Sequence, residues 1–158
     1  MVYTALVMKI VHVAAVLLEN ENGEILVLRR LKNRPEPNTY GLPGGKVNAS
    51  EDIKDACIRK VYEETKLTIN SGKLVFLKTY NKEWQSEGIN IIFETFRYKL
   101  PESNIEIVLD SKGASGFLWQ TPQELYKRKD LMAGLYIILK DIYKLLVSHN
   151  VDTSLRSV

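Results

Sequence analysis

Cysteine is nearly absent from this chain: Cys57 stands alone among 158 residues. A lone cysteine excludes an internal disulfide, and it argues against a zinc cluster. Cys57 falls on an apolar helical stripe, which makes it a core residue rather than a nucleophile. Long hydrophobic runs are also missing. Lys9 and His12 interrupt the apolar N-terminal stretch and no basic segment precedes it, so neither a signal peptide nor a membrane span is expected. Charge of one sign is scarce too. The 22 Lys and Arg outnumber the 19 Asp and Glu only slightly, and they are spread along the chain. A net charge of +3 so distributed suits a small anion and argues against nucleic acid. No repeat, low-complexity tract or dividing linker is present. The expectation is one domain over residues 1–147, a tail at 148–158, and a reducing cytoplasm.

What the chain does have is a regular alternation of elements. Ile10–Leu18 reads as a strand, Asn22-Gly23 as a hairpin turn, and Glu24–Arg30 as the return strand, with Ile25 and Val27 opposed to Leu26 and Leu28. Arg29 and Arg30 close that strand, and Pro35-Glu36-Pro37 makes 31–39 a loop leading to Tyr40, a packing residue. A tight Gly/Pro loop follows, with Gly44 and Gly45, and then a helix from Glu51. Asn48 and Ser50 are its candidate N-caps, and Asn48 and Glu51 have capping-box spacing. Ile53, Ala56, Cys57 and Val61 form the helix stripe, and Glu63 and Glu64 fall off it.

Beyond the helix, Lys73–Tyr80 reads as a strand, Asn81–Gly88 as a polar loop, and Ile89–Leu100 as a strand. Residues 101–113 are a polar connection and Gly116–Trp119 a short strand. Thr121-Pro122-Gln123-Glu124 opens a helix with a capping box and proline at its first position. Asp130 is the candidate N-cap of a last helix whose stripe is Leu131, Leu135, Ile138, Leu139, Ile142 and Leu146. Strands interleaved with amphipathic helices make a mixed α/β protein with helices covering a sheet.

The stretch from Gly45 to Leu67 resembles the Nudix box, G-x5-E-x7-R-E-U-x-E-E-x-G-U. Gly45, Glu51, Arg59, Val61, Glu63, Glu64 and Leu67 occupy their places without insertion. Leu42-Pro43-Gly44 resembles the family's lead-in, and Trp119, Glu124 and Leu125 its tail. The resemblance implies an α/β/α sandwich with a mixed sheet and hydrolysis of a diphosphate linkage in a nucleoside di- or triphosphate derivative. It implies Mg²⁺ or Mn²⁺ on Glu63, Glu64 and the Gly45 carbonyl, Arg59 orienting Glu63, and Glu51 supporting the loop. Arg29, Arg30, Gly44 and Lys60 become candidate substrate contacts, with Trp84 the first of several aromatic side chains (Tyr80, Phe93, Phe96) for stacking on a base. Many small members of the family are homodimers.

Two positions depart. Lys66 replaces the late glycine, which removes a favoured helix stop. Lys60 replaces the glutamate that follows the arginine. Residues 60, 63 and 64 share one helical face, so three expected carboxylates become two and an ammonium. A charged lysine has no lone pair and cannot ligate Mg²⁺. The family's late acid is missing as well: residues 111–116 hold none, and only Asp110 lies at their edge. The base would then come from Glu83, Glu87, Glu102, Glu106 or Asp110. Otherwise Lys60 clamps a phosphate at a site holding fewer metals, or the chain is a catalytically impaired nucleotide-binding module. An RNA-directed hydrolase is a distant third reading. His12 reads as a satisfied core histidine and His149 as inert.

Overall fold

Alternate side chains along the strand Lys9–Glu19 are apolar on both faces, and this strand, β1, becomes the middle of the sheet. The computed structural model describes residues 8–101, 105–145 and 156–157. β1 returns through the Asn20–Gly23 turn into β2 (Ile25–Arg29), and β2 pairs in turn with β3 (Tyr40–Gly41) and β7 (Gly116–Gln120). β4 (Gly44–Lys46) pairs antiparallel with Val13–Ala15 of β1. On its other edge β1 runs parallel to β6 (Ile89–Lys99), from Lys9 against Ile89 to Glu19 against Lys99. β5 (Val75–Trp84) lies antiparallel to β6. Within the tail, β8 (Arg156–Ser157) pairs with Asn81 and Tyr80 of β5, while Leu146 and His149 lie outside the described residues.

The two faces of β1 and β2 carry two cores. Ala14, Val16, Leu18, Leu26 and Leu28 pack with Ala56, Cys57 and Val61 of α1 (Ile53–Thr65). Leu17, Ile25 and Val27 pack with Leu125 of α2 (Pro122–Tyr126) and with Leu135, Ile138 and Leu139 of α3 (Ala133–Tyr143). Helices therefore cover both sides of a mixed sheet, the α/β/α sandwich expected. Each large apolar side chain fully buried this way contributes about 2 kcal/mol, so the strands that carry two faces anchor the fold.

Several boundaries differ from the sequence expectation, each for a local reason. The glycine loop is partly a strand, because residues 44–46 find partners on β1. α1 is capped by Asp52, whose side chain accepts from the N–H groups of Lys54 and Asp55, and not by Asn48 or Ser50. Ser50 sits at φ +64, and Asn48 and Glu51 close a turn ahead of the helix, where the Glu51 carboxylate accepts from the Asn48 N–H at 3.0 Å. The polar stretch Asn81–Trp84 is not loop but the end of β5, held by pairing to Ile89–Ile92, and only Gln85–Gly88 turn the chain.

Asp130 does not cap α3. Its carboxylate is taken by the Arg128 guanidinium in two 2.8 Å bonds, and the first α3 N–H, on Ala133, donates to Glu36 from the distant 31–39 loop. The capping box of Thr121 and Glu124 forms as the sequence predicts.

α1 ends on Lys66, at φ +63, in the position of the missing glycine, and its N–H donates to the Tyr62 carbonyl. Left-handed backbone costs a side-chain-bearing residue about 1 kcal/mol. The Lys66 ammonium lies over the Tyr62 ring, 5.1 Å from its centre, an exposed contact worth about 0.5 kcal/mol. Lys66→Gly is therefore expected to stabilise the chain by a net of about 0.5 kcal/mol. In urea unfolding the midpoint should rise with an unchanged slope. A lowered midpoint would show that the contact with Tyr62 outweighs the backbone strain.

Candidate active site

The joint between β4 and α1 is built around two glycines. A Cβ on Gly44, at φ +152, would lie 2.1 Å from the Ala14 carbonyl oxygen, and one on Gly45 would lie 2.4 Å from Lys60 Cε. At Gly44 only bare backbone fits against the β1 main chain; at Gly45 the neighbour is the movable end of the Lys60 side chain.

Arg59 then fastens the joint. Its Nε and Nη2 donate to the two oxygens of Glu51 at 2.8 and 2.9 Å, and Nη2 donates again to the Lys46 carbonyl at 2.9 Å. Nη1 reaches Glu63 at 3.3 Å. The fork matches a carboxylate in shape as well as charge. The Arg59 hydrogen bonds, with that from the Asn48 N–H, hold the Glu51 carboxyl down at about 2. Glu51 ties the Asn48 turn to Arg59. Arg59 spends most of its donors on Glu51 and the end of β4, and Glu63 receives only the outermost one.

The paired glutamates separate. Glu64 turns inward and accepts from the Gly44 N–H at 2.8 Å. Burial pushes its carboxyl up to about 7, against the pull of the Gly44 N–H, Lys60 and Arg30. Glu63 stays on the surface; although its partial burial acts upward, Lys60 and Arg59 hold it below the ordinary carboxylate range. Lys60 Nζ donates to Glu63 Oε2 at 3.2 Å. Both oxygens of Glu63 thus carry a cationic partner, and one oxygen of Glu64 carries an amide. Among the described residues no group of three His, Cys, Asp or Glu side chains is placed to hold a metal ion. The donor set does not fit the metal cluster that the box implies.

Glu64 and Gly44 form one side of a small open cleft of about 80 Å³. Its other walls are Leu28, Arg29 and Arg30 from the end of β2, Gly41 and Leu42, Gly113 and Ala114, and Met132. Arg29 and Arg30 reach the 31–39 loop through their Nε atoms, donating to the Asn38 carbonyl at 3.4 Å and the Pro35 carbonyl at 2.7 Å. Asp110 shapes the far wall: its carbonyl accepts from the N–H groups of Gly113 and Ala114, and its carboxylate accepts from Lys112. Met132 arrives through the pairing of Tyr40 with Leu131, in which the Met132 N–H donates to the Tyr40 carbonyl. Sequence reasoning did not find Met132, Gly113 or Ala114. No local pattern marks them, since long-range pairing brings them here.

Trp84 does not line this cleft. It pairs with Ile89, which pairs with Lys9, about 20 Å along β1 from the Ala15 partner of Gly44. Glu83 and Glu87 are exposed at that same end, Glu106 is exposed, and Glu102 lies outside the described residues. Tyr80 and Phe96 are core residues, Phe93 packs partly buried on the α3 side, and Tyr40 packs beneath the Arg128 guanidinium. Burial, with the nearby Glu94 carboxylate, pushes the Cys57 thiol up to about 12, consistent with an inert core thiol. His12 is satisfied, with Nε2 2.6 Å from Glu94, although its side chain remains 40% exposed.

A model of the NUDIX domain family matches residues 8–142. The chain is 34% identical over 100 residues to an 8-oxo-dGTP diphosphatase of Escherichia coli, covering 63% of this chain and 64% of that relative, just under two thirds of its length. It is 30% identical over 128 residues to a MutT-like protein of Streptomyces ambofaciens, covering 81% of this chain and 72% of that one. Among solved structures, a MutT protein of Methanosarcina mazei superposes with a TM-score of 0.72 at 23% identity, covering 87% of this chain and 95% of that one.

Charging Glu64 is harder in the folded chain than in the unfolded one, where the ordinary value is 4.5. Its contribution to stability is therefore full below pH 4.5 and is lost as pH rises through about 7. Glu64→Gln keeps an acceptor for the Gly44 N–H and removes the charge. The variant should melt with the native chain at pH 4 and be more stable at pH 8 by about 3 kcal/mol. Equal melting at both pH values would show that the carboxylate is solvated in the folded state.

Proposed function

Because the chain belongs to the NUDIX domain family, we propose that it hydrolyses a diphosphate linkage in a nucleoside di- or triphosphate derivative. The observation that carries this reading is the cleft itself. Arg29 and Arg30 stand on one wall and the Glu64 carboxylate, balanced near neutrality, on the other. The guanidinium groups offset phosphate charge and orient the diphosphate. Glu64 is suited to accept a proton from an attacking water at neutral pH. In the step proposed, water oxygen bonds to phosphorus, the bridging P–O bond breaks, and the departing phosphate leaves with the bridging oxygen. A divalent ion bound to a diphosphate supplies charge neutralisation and a more acidic water. The side chains of this box do not form a full ligand set, so Mg²⁺ or Mn²⁺ is proposed to arrive with the nucleotide. The likeness to an 8-oxo-dGTP diphosphatase favours a purine nucleoside triphosphate as substrate.

One observation favours a second reading, in which the chain binds such compounds without cleaving them: Lys60 stands where the box has a glutamate, paired to Glu63. Turnover separates the two. Pyrophosphate and phosphate release is measured across dNTPs, oxidised dNTPs, ADP-ribose, nucleotide sugars and dinucleoside polyphosphates, with Mg²⁺ and with Mn²⁺. The hydrolase reading expects rapid release from one class, and expects Arg30→Ala to raise KM for it by roughly tenfold or more, the loss of a charge-assisted hydrogen bond. Binding of a panel member without product would leave the second reading standing.

A further inference from the structure

We infer that the Lys60 ammonium stands in the box in place of a divalent cation and binds the substrate's diphosphate directly. This rests on reading the cleft as a diphosphate site. A lysine on an exposed helix turn ordinarily swings in solvent, and a surface ion pair of that kind contributes about 0–1 kcal/mol. Lys60 is placed differently. Its stem lies flat on the Gly45 backbone, so closely that a Cβ there would touch its Cε at 2.4 Å and its Nζ at 3.2 Å. The side chain is 24% exposed, enough for a ligand to reach its end. Nζ donates to Glu63 Oε2 at 3.2 Å, and its charge also acts on Glu64. The ammonium therefore sits where the two carboxylates and the glycine strand meet. The family's box, with an acid at this position, would gather carboxylates around a metal there.

Charge makes the consequence plain. With Lys60, and with Glu64 ionised, the side chains of Arg59, Lys60, Glu63 and Glu64 balance, two positive against two negative. A glutamate at 60 would leave that group two charges negative, a setting that recruits a divalent ion and needs one before a polyanion can approach. An ammonium has three donors. Glu63 engages one, which leaves two for phosphate oxygens. Lys60 is not itself a wall of the cleft, but its charge and that of Arg30 both act on Glu64, which is. The glycine at 45 then has a second role beside seating β4: it clears the space in which the lysine stem lies.

The test uses inorganic pyrophosphate and Mn²⁺ as probes, by isothermal titration calorimetry on the full chain. Circular dichroism melts confirm that each variant folds. The native chain should bind pyrophosphate in EDTA. Lys60→Met should weaken that binding about tenfold or more, the loss of one charged hydrogen bond, while Lys60→Arg retains it. Mn²⁺ alone should bind Lys60→Glu at least about tenfold more tightly than it binds the native chain. The inference is overturned if Lys60→Met binds pyrophosphate in EDTA as the native chain does. It is equally overturned if the native chain and Lys60→Glu take Mn²⁺ with the same affinity. Failure of the underlying reading looks different: the native chain would then bind no pyrophosphate either in EDTA or with Mn²⁺, and the inference would fall with it.

Discussion

The two parallel hydrogen bonds between Arg59 and Glu51 are the interaction on which the rest of the site depends. They join the middle of α1 to the turn that precedes it, and through the Lys46 carbonyl they reach the end of β4. Without that fork, β4 would be three residues pairing on β1 and tied to the helix only by the Gly44–Glu64 hydrogen bond. With it, the Gly44 N–H meets Glu64, Gly45 lies beneath Lys60, and one wall of the cleft is formed. A lysine in place of Arg59 could not bridge both Glu51 oxygens and the carbonyl at once. The motif's spacing is thus a structural requirement before it is a chemical one.

That separation explains how a box can keep its shape after losing part of its chemistry. Glu51, Arg59 and the glycines shape the joint, and all are present. The box as the family has it would place acids at 60, 63 and 64, and this chain has a lysine at the first of them. The exchange leaves the fold intact because Lys60 Nζ finds Glu63 at once and its stem covers bare backbone. Glu64 shows the opposite economy. Holding a carboxylate inside, beside one amide donor, costs stability at neutral pH and leaves a group able to exchange a proton there. Stability is lowered at the position where reactivity is useful.

Much of this was legible in the chain. Two-faced strands at Ile10–Leu18 and Glu24–Arg30, the Asn-Gly turn and the Thr121 capping box are local signals, and each formed within a residue of where it was read, the second strand as Ile25–Arg29. The sandwich followed from the motif; the fork did not, because the motif pointed Arg59 at Glu63, four residues on, whereas its two shorter bonds go to Glu51. What was missed depends on contacts between distant segments. Polar residues 81–84 became strand because β6 offered partners, overriding their composition. Asp130 lost the role of cap to Arg128, and Glu36 from another loop took it. Ser50, a favourable cap by residue type, was displaced by Asp52 because the Glu51 side chain folds back into the turn. Met132 entered the cleft through the Tyr40–Leu131 pairing, which no local pattern announces. Trp84, attractive as a stacking surface in a polar loop, ended at the other end of the sheet once that loop proved to be strand.

The central claim is that an ammonium fills the cation position of an otherwise assembled box. Its most direct test is a crystal of the native chain soaked in Mn²⁺, with data collected for anomalous scattering. The account predicts no anomalous peak between Glu63, Glu64 and Gly45, with Lys60 Nζ within hydrogen-bonding distance of Glu63. A strong peak at that position, with Lys60 swung out to solvent, would contradict it.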